Sequence, residues 1–370
     1  MIYFDSAATT LQKPQTVYDA VQRTMRTAAS VGRGGYQAAE RAAQAVYACR
    51  EEAAELFDAE PEHVIFTMNA THGLNIAIST LVRPGARVVT SGFEHNAVTR
   101  PLYALGAEVI EAGHRLFDPE DTLNAFDAAL RLRPEAAVCT HVSNVFGYVL
   151  PVGRIARLCA ERGVPLIIDA SQSAGVLPVS LRGSGAAFIA MPGHKSLYGP
   201  QGTGLLLCAD SGRPLMQGGT GSNSELPQMP DFLPDRLEAG THNVCGIAGL
   251  CEGLRFVRRR TPQRIFTHEQ QLLKLLERRL RPLEALTLYT GASQSGVMSL
   301  TVRDTDCEEA AAQLGRAGAA VRAGLHCAPQ AHRSAGTIDS GTVRVSFSAF
   351  NTAQETEQFA ALCKKLFSKR

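Results

Sequence analysis

No two of the nine cysteines in this sequence are spaced C-x-x-C, and their number is odd. That argues against a thiolate zinc site and leaves no disulfide framework to read. The expectation is reduced, mostly buried cysteines in a cytoplasmic protein. The ten histidines include no H-E-x-x-H or comparable ligand spacing, so no metal site is expected. Apolar runs such as Gly204-Leu205-Leu206-Leu207-Cys208-Ala209 fall far short of a membrane span. The start, Met1-Ile2-Tyr3-Phe4-Asp5, lacks a basic region followed by a long apolar core, so no secretory signal is expected. A formal charge of only +2 gives no reason to expect nucleic acid or an anionic membrane as partner. With 45% hydrophobic and 19% charged residues, the 370-residue chain reads as an ordinary globular protein. Its length suits about two to three domains.

What is present is a regular alternation. From His63 onward, strands are expected at 64–67, 87–91, 108–111, 136–142, 166–169, 187–191 and 204–208, with helical stretches between them. That order argues for a mostly parallel sheet covered on both faces. Ahead of it, Pro14 suits the first turn of a helix on which Val17, Val21 and Met25 repeat at helical spacing. Gly32-Arg33-Gly34-Gly35 breaks that helix, and an alanine-rich helix over about 37–57 presents Val46, Cys49, Ala53 and Leu56 on one face. Residues 152–162 read as a helix with Ile155, Leu158 and Cys159 inward and Gly163 as its stop. Residues 210–245, rich in Gly, Pro, Ser and Asn, are too long for an ordinary connection. Such a loop is functional, disordered or ordered by a partner. Beyond a helix carrying the charged run 255–260 come strands at 297–302 and 343–347. Capping boxes Thr305-x-x-Glu308 and Thr352-x-x-Glu355 open two helices there. The expected organisation is an N-terminal segment, 1–14, which packs on either domain, a large domain, 15–255, and a small C-terminal domain, 256–370.

Ligands of open parallel sheets sit beyond the carboxyl ends of the strands. Polar residues cluster there. After 64–67 comes Asn69-Ala70-Thr71-His72-Gly73, either a helix-start phosphate site or a plain cap by Asn69 or Thr71. After 87–91 comes His95, which either stacks on a flat ring or is a satisfied loop histidine. Asp169 ends an apolar strand and needs a cationic or hydrogen-bonding partner, a pyridinium nitrogen being one and the N-cap of the next segment the bland alternative. Lys195 follows the buried run 186–190 across a turn carrying Pro192 and Gly193. Taken alone it is a solvated loop lysine or a Schiff-base lysine. An Asp and a Lys at two strand ends are the pairing a pyridoxal site needs. Cys327 sits beside His326 and five residues after Arg322, neighbours that favour thiolate; taken without that context it reads as one more ordinary cysteine among nine. Arg344, inside an apolar strand, pairs with an anion: a bound carboxylate or a structural salt bridge.

The order of these pieces resembles a family. Phe4-Asp5-Ser6-Ala7-Ala8-Thr9, Asn69-Ala70-Thr71, Glu94-His95-Asn96, Ser143-Asn144, Asp169-Ala170-Ser171-Gln172, Gly193-His194-Lys195, Arg236-Leu237-Glu238-Ala239-Gly240-Thr241, Arg322-x-Gly324-x-His326-Cys327 and Arg344 are similar to the cysteine desulfurase and selenocysteine lyase family, SufS-like branch. The resemblance spans nearly the whole chain. It implies a fold type I α/β enzyme of the class V aminotransferase kind, a homodimer with shared active sites that holds pyridoxal 5'-phosphate. It implies further that Lys195 forms the Schiff base, Asp169 contacts the ring nitrogen, Gln172 the ring hydroxyl, and His95 stacks on the ring. Ala70, Thr71 and His194 would hold the phosphate, with Thr241 reaching it from the second subunit, where the Gly-rich stretch 217–224 helps build the site. Asn144 and Arg344 would bind the carboxylate of an amino-acid substrate, with Ala8 and Arg322 beside it. Cys327 would accept sulfur and pass it to an acceptor protein.

Two positions depart from the family. Pro192 stands where Ser or Thr is common beside the phosphate, and proline offers neither hydroxyl nor N–H. Leu325 stands where the SufS-like branch often has a second histidine, leaving His326 as the only imidazole in sequence beside Cys327. The function expected is removal of sulfur from L-cysteine, giving L-alanine and a persulfide on Cys327. Rivals on the same fold are selenocysteine lyase, cysteine sulfinate desulfinase and aminotransferase; one from another class is a non-catalytic sulfur carrier or scaffold. A nucleotide-binding reading of Gly199-Pro200-Gln201-Gly202-Thr203-Gly204 is weak, because the Gly-Lys-Ser/Thr ending of a P-loop is missing.

Overall fold

A computed structural model describes residues 1–32 and 34–368; Arg33, part of the expected Gly-rich break, lies outside the described residues. All seven expected strands form, four with the expected bounds and three with an end shifted by one or two residues. They build one sheet in the spatial order Val64–Thr67, Gly204–Cys208, Phe188–Pro192, Leu166–Asp169, Ala136–Thr140, Arg87–Ser91, Glu108–Ala112. The last five run parallel to one another, while Gly204–Cys208 is antiparallel to both its neighbours. The sheet is therefore mixed and mostly parallel. Successive side chains of a strand point to opposite faces, and both faces are buried. Cys139, Ile168, Ile189 and Leu207 join one core with Val46, Cys49 and Ala53 of the Gln37–Phe57 helix. Their neighbours Val138, Ile167, Phe188 and Leu206 join another with Leu74, Ala77 and Ile78 of the Ala70–Leu81 helix.

A second, antiparallel sheet has the order Arg322–Gly324, Thr342–Ser346, Val297–Val302, Leu286–Tyr289. Leu300 and Val345 of this sheet share a core with Leu276 of the Pro262–Leu280 helix and Phe359 of the Ala353–Phe367 helix. The N-terminus packs here too. Ile2–Tyr3 pairs in parallel with Ala319–Ala320, and the Phe4 ring meets Phe347 edge-on at 4.8 Å.

Two local expectations are corrected. Met25 does not share the buried face of the Gln15–Thr27 helix; it is 71% exposed, and Val17, Ala20 and Thr24 are the buried residues. Each step of four residues turns about 40° too far, so positions 17, 21 and 25 drift around the helix while 20 and 24 stay beneath it. The Cys307–Arg316 helix is capped by Asp306, not Thr305: the Asp306 carboxylate accepts from the N–H groups of Glu308 and Glu309 at 2.7 and 3.3 Å. An anionic cap one residue further in also complements the positive helix end. The second box forms as expected, with Thr352 Oγ1 accepting from Glu355 N and Glu355 accepting from Thr352 N.

Candidate active site

The carboxyl ends of the parallel strands open into a cavity of about 250 Å³. Among the residues that reach it are Asp169 from a strand end, Lys195 and His194 from the turn after Phe188–Pro192, and Ala70 and Thr71 from the start of a helix. Cys327, Arg322 and Arg344 enter from the smaller sheet side. The turn before Lys195 is tight. A Cβ on Gly193 would lie 2.2 Å from Thr203 Oγ1, so no larger residue fits there.

The helix start is open toward the cavity. Asn69 caps the Ala70–Leu81 helix, its side-chain oxygen accepting from His72 N at 2.9 Å, and its carbonyl accepts from Gly73 N at 3.3 Å. The N–H groups of Ala70 and Thr71 have no intrahelical acceptor, because the first turn of any helix leaves its donors free. Together with the dipole they favour an anion. Pro192 lines the same cavity and contributes no donor.

Charge in the site is set by enclosure. Lys195 opens onto the cavity yet is surrounded by protein, which lowers its pKa from 10.5 to about 8 against the opposing pull of Asp169. His95 is brought down to about 4 by burial, again in spite of Asp169, and is neutral. Its Nδ1 accepts from Ala97 N at 3.0 Å as the cap of the Asn96–Ala104 helix, so Nε2 carries the proton. His194, lowered to about 4 by burial, is neutral as well, and its Nδ1 is buried without a partner. Asp169 is 3% exposed, and its Oδ1 accepts from Ser171 N at 2.9 Å. Behind it lies Glu94, fully enclosed and pushed up to about 8 by desolvation.

The Cys327 loop is held in an unusual shape. His326 and Cys327 both have positive φ, 49° and 57°, a region that costs non-glycine residues free energy and persists where surroundings enforce it. Here Asn144 Nδ2 donates to the His326 carbonyl at 2.8 Å, and Asn96 N donates to the Cys327 carbonyl at 2.7 Å. The outcome is an exposed thiol on a fixed loop, whereas eight other cysteines are buried or half-buried. His326 lines the cavity, but burial drives its pKa down to about 2. It is a neutral group whose Nε2 lies 3.2 Å from the Thr342 carbonyl, so it brings no positive charge to the thiol.

The N-terminal segment straps these parts together. Ala7 O accepts from Gln172 Nε2 at 3.0 Å, Thr10 N donates to His194 O at 3.1 Å, and Thr10 Oγ1 donates to Lys195 O at 3.2 Å. Ala8 reaches the cavity from the same strap. Arg344, 2% exposed, gives Nη1 to Asn144 O at 3.0 Å and Nη2 to Asp5 Oδ1 at 2.7 Å, while its Nε is buried without a partner. Both readings of Arg344 therefore have a footing: a salt bridge exists, and donors remain. Of the expected site residues only Thr241 lies elsewhere. It lines a separate cavity of about 200 Å³ beside Glu238 and His242. Sequence reasoning assigned no role to Asp5 or Glu94, although both stand inside quoted motifs. The usable signal was that Arg344, placed in an apolar strand, required an acid.

The sequence profile of the family described as aminotransferase class-V matches residues 2–359. The chain belongs to that family. A class-V relative from Methanothermobacter thermautotrophicus, named "Probable cysteine desulfurase", is 32% identical over 375 residues, covering 96% of this chain and 92% of the relative. A relative of the same name from Mycolicibacterium paratuberculosis is 31% identical over 99% of this chain, which spans only 55% of that longer protein. An apo cysteine desulfurase structure from Thermococcus onnurineus superposes with a TM-score of 0.89 at 29% identity, covering 100% of this chain and 95% of that one. A cysteine desulfurase from Escherichia coli, at 24% identity, covers 98% of this chain and 94% of its own with a TM-score of 0.86, and shares the fold. Among the described residues no group of three or more His, Cys, Asp or Glu side chains could hold a metal, and no helix is long and apolar enough to cross a membrane.

Proposed function

We propose that this chain is a pyridoxal-phosphate-dependent cysteine desulfurase that moves sulfur from L-cysteine onto Cys327 and releases L-alanine. The observation that carries this reading is the exposed Cys327 thiol, fixed on a strained loop at a cavity that also holds Lys195, Asp169 and Arg344. The relatives named for that activity support it.

The residues present fit the cofactor. Free N–H groups at Ala70 and Thr71 and His194, whose Nδ1 has no partner among the described residues, form a donor set for its phosphate. Asp169 suits a protonated ring nitrogen, Gln172 the ring hydroxyl, and the neutral His95 a stacked ring, while Lys195 would hold the aldehyde carbon. When bound, the cofactor supplies an electron-withdrawing ring that stabilises negative charge at the substrate α-carbon. Arg344 holds the substrate carboxylate, with Asn144, Ala8 and Arg322 around it. Lys195 Nζ, readily neutral because of its enclosure, takes the α-proton. Cys327 Sγ, as thiolate, attacks the substrate sulfur. The S–S bond forms as the C–S bond breaks and the C–S electron pair stays on carbon; protonation of that carbon and return of a proton from Lys195 to the α-carbon give alanine and a Cys327 persulfide. A sulfur-acceptor protein would collect that sulfur from the exposed loop.

Further parts of the reading rest on the same basis. Thr241 lies outside its own chain's cavity, which supports a homodimer in which it serves the partner's phosphate site. We also propose the domain division 15–255 and 256–370 with an N-terminal segment, 1–14, and a cytoplasmic location, which nine free cysteines favour. The deciding experiment compares wild type with Cys327→Ala on cysteine, selenocysteine and cysteine sulfinate. The variant is expected to keep the cofactor and lose sulfide release from cysteine. Undiminished release would sink the role of Cys327, and high activity on the other two substrates with little on cysteine in wild type would favour a lyase or desulfinase instead.

A further inference from the structure

Arg344 presents a problem of orientation. A guanidinium on a long side chain can rotate, yet a bidentate grip on a carboxylate requires one edge to face the ligand. In this cavity a second cation, Arg322, stands directly across the strand pair from Arg344. Like charges at paired positions push apart, so something must fix the guanidinium.

Asp5 is placed to do it. Its carboxylate takes one hydrogen bond from Nη2 at 2.7 Å, and the Asn144 carbonyl takes another from Nη1 at 3.0 Å. Arg344 and Asn144 line the cavity, whereas Asp5 is not among the residues that line it, so the acid does not stand in the substrate's place. The Asp5 backbone is clamped. It bridges to Ser346, Ser346 N donates to Phe4 O at 2.8 Å, Ala7 N donates to Ser346 Oγ at 2.9 Å, and the Asp5 carbonyl accepts from Ala8 N at 3.1 Å. That last turn also sets Ala8 at the cavity. Each Nη keeps a second N–H beyond these bonds, and among the described residues the buried Nε–H has no acceptor.

We propose that Asp5 is a positioning residue for substrate recognition: it locks the Arg344 guanidinium so that its remaining donors meet the α-carboxylate of the amino acid. The inference rests on the reading that Arg344 binds that carboxylate. It concerns binding, not the chemistry at sulfur.

The test uses the holoenzyme and two half-substrates in calorimetric titrations. One is 3-mercaptopropionate, with thiol and carboxylate but no amine; the other is cysteamine, with thiol and amine but no carboxylate. Removing a charge-assisted tether should cost about tenfold in affinity for the carboxylate ligand. Asp5→Ala is expected to bind 3-mercaptopropionate about that much more weakly and cysteamine unchanged, with a raised KM for L-cysteine and an unaltered kcat. Asp5→Asn, which keeps an oxygen for Nη2, is expected to recover most of the affinity. Equal weakening toward both half-substrates marks a merely structural role and overturns the proposal, as does an Asp5→Asn variant no better than Asp5→Ala. If Asp5→Ala does not fold, Asp5→Ser, too short to reach the guanidinium, takes its place. Arg344→Lys separates the two readings. If it binds 3-mercaptopropionate like wild type, the carboxylate assignment itself falls; if it loses the ligand while Asp5→Ala keeps it, only the role of Asp5 falls.

Discussion

Lys195 gains its chemistry from where it is enclosed. In water a lysine amine is almost wholly protonated at neutral pH and is a poor nucleophile. Enclosure disfavours the charged form and brings its pKa to about 8, while Asp169 opposes the shift without cancelling it. The sign follows directly: raising pH through about 8 deprotonates the amine and makes it reactive. Apoprotein mixed with pyridoxal phosphate is therefore expected to combine faster as pH rises from 7 to 9, then to level off. Stopped-flow absorbance of the cofactor checks this. A midpoint near the ordinary lysine value of 10.5 would show that the amine is not enclosed as described. His95, His194 and His326 are all driven to the neutral side by burial, so none of them is expected to contribute a step to that profile near neutrality.

At the scale of elements, the helix start at Ala70 couples stability to anion binding. Asn69 accepts from His72 N and fixes the first turn, whose residues Ala70 and Thr71 line the cavity. Asn69→Ala removes the cap and is expected to cost about 1 kcal/mol of stability in urea unfolding. Fraying of that turn should also weaken cofactor affinity, measured by fluorescence titration. A stability loss with affinity unchanged would separate the helix start from the phosphate site. Elements of this kind were largely legible in the sequence. Strand cores and the Thr352 cap follow from local pattern, and the order of Asp169 and Lys195 at strand ends follows from the sheet rule. Features that depend on neighbours distant in sequence were not legible. The Asp306 cap, one residue past the expected Thr305, is by contrast a local choice between two adjacent capping types. Met25 is a local matter as well: a strict four-residue spacing drifts around the helix, so 17, 21 and 25 do not share one buried face. The Asp5–Arg344 contact joins positions 5 and 344, and only the folded chain brings them together.

Across the whole molecule, residues 4–10 bind one region to another. Phe4 belongs to the core of the smaller unit, Ala7 holds Gln172, and Thr10 holds the backbone of His194 and Lys195. The site is thus assembled from both ends of the chain. One expected contributor remains apart. Glu238 is buried and paired with Arg50, whose guanidinium also lies over the Phe66 ring at 4.5 Å, and this pair anchors the loop that carries Thr241. Glu238 stands three residues before Thr241, so this buried pair fixes the start of the loop outside its own chain's cavity. In the proposed homodimer Thr241 serves the phosphate site of the second copy, and complementation follows from that arrangement. Lys195→Ala and Thr241→Ala chains should each be weak alone at limiting cofactor. In a mixed dimer, one site would combine the intact Lys195 of one chain with the intact Thr241 of the other. Activity is expected to rise on mixing after dissociation and reassociation, to a level neither variant reaches. No gain on mixing, in samples shown by native mass spectrometry to contain mixed dimers, would place Thr241 outside the partner's site.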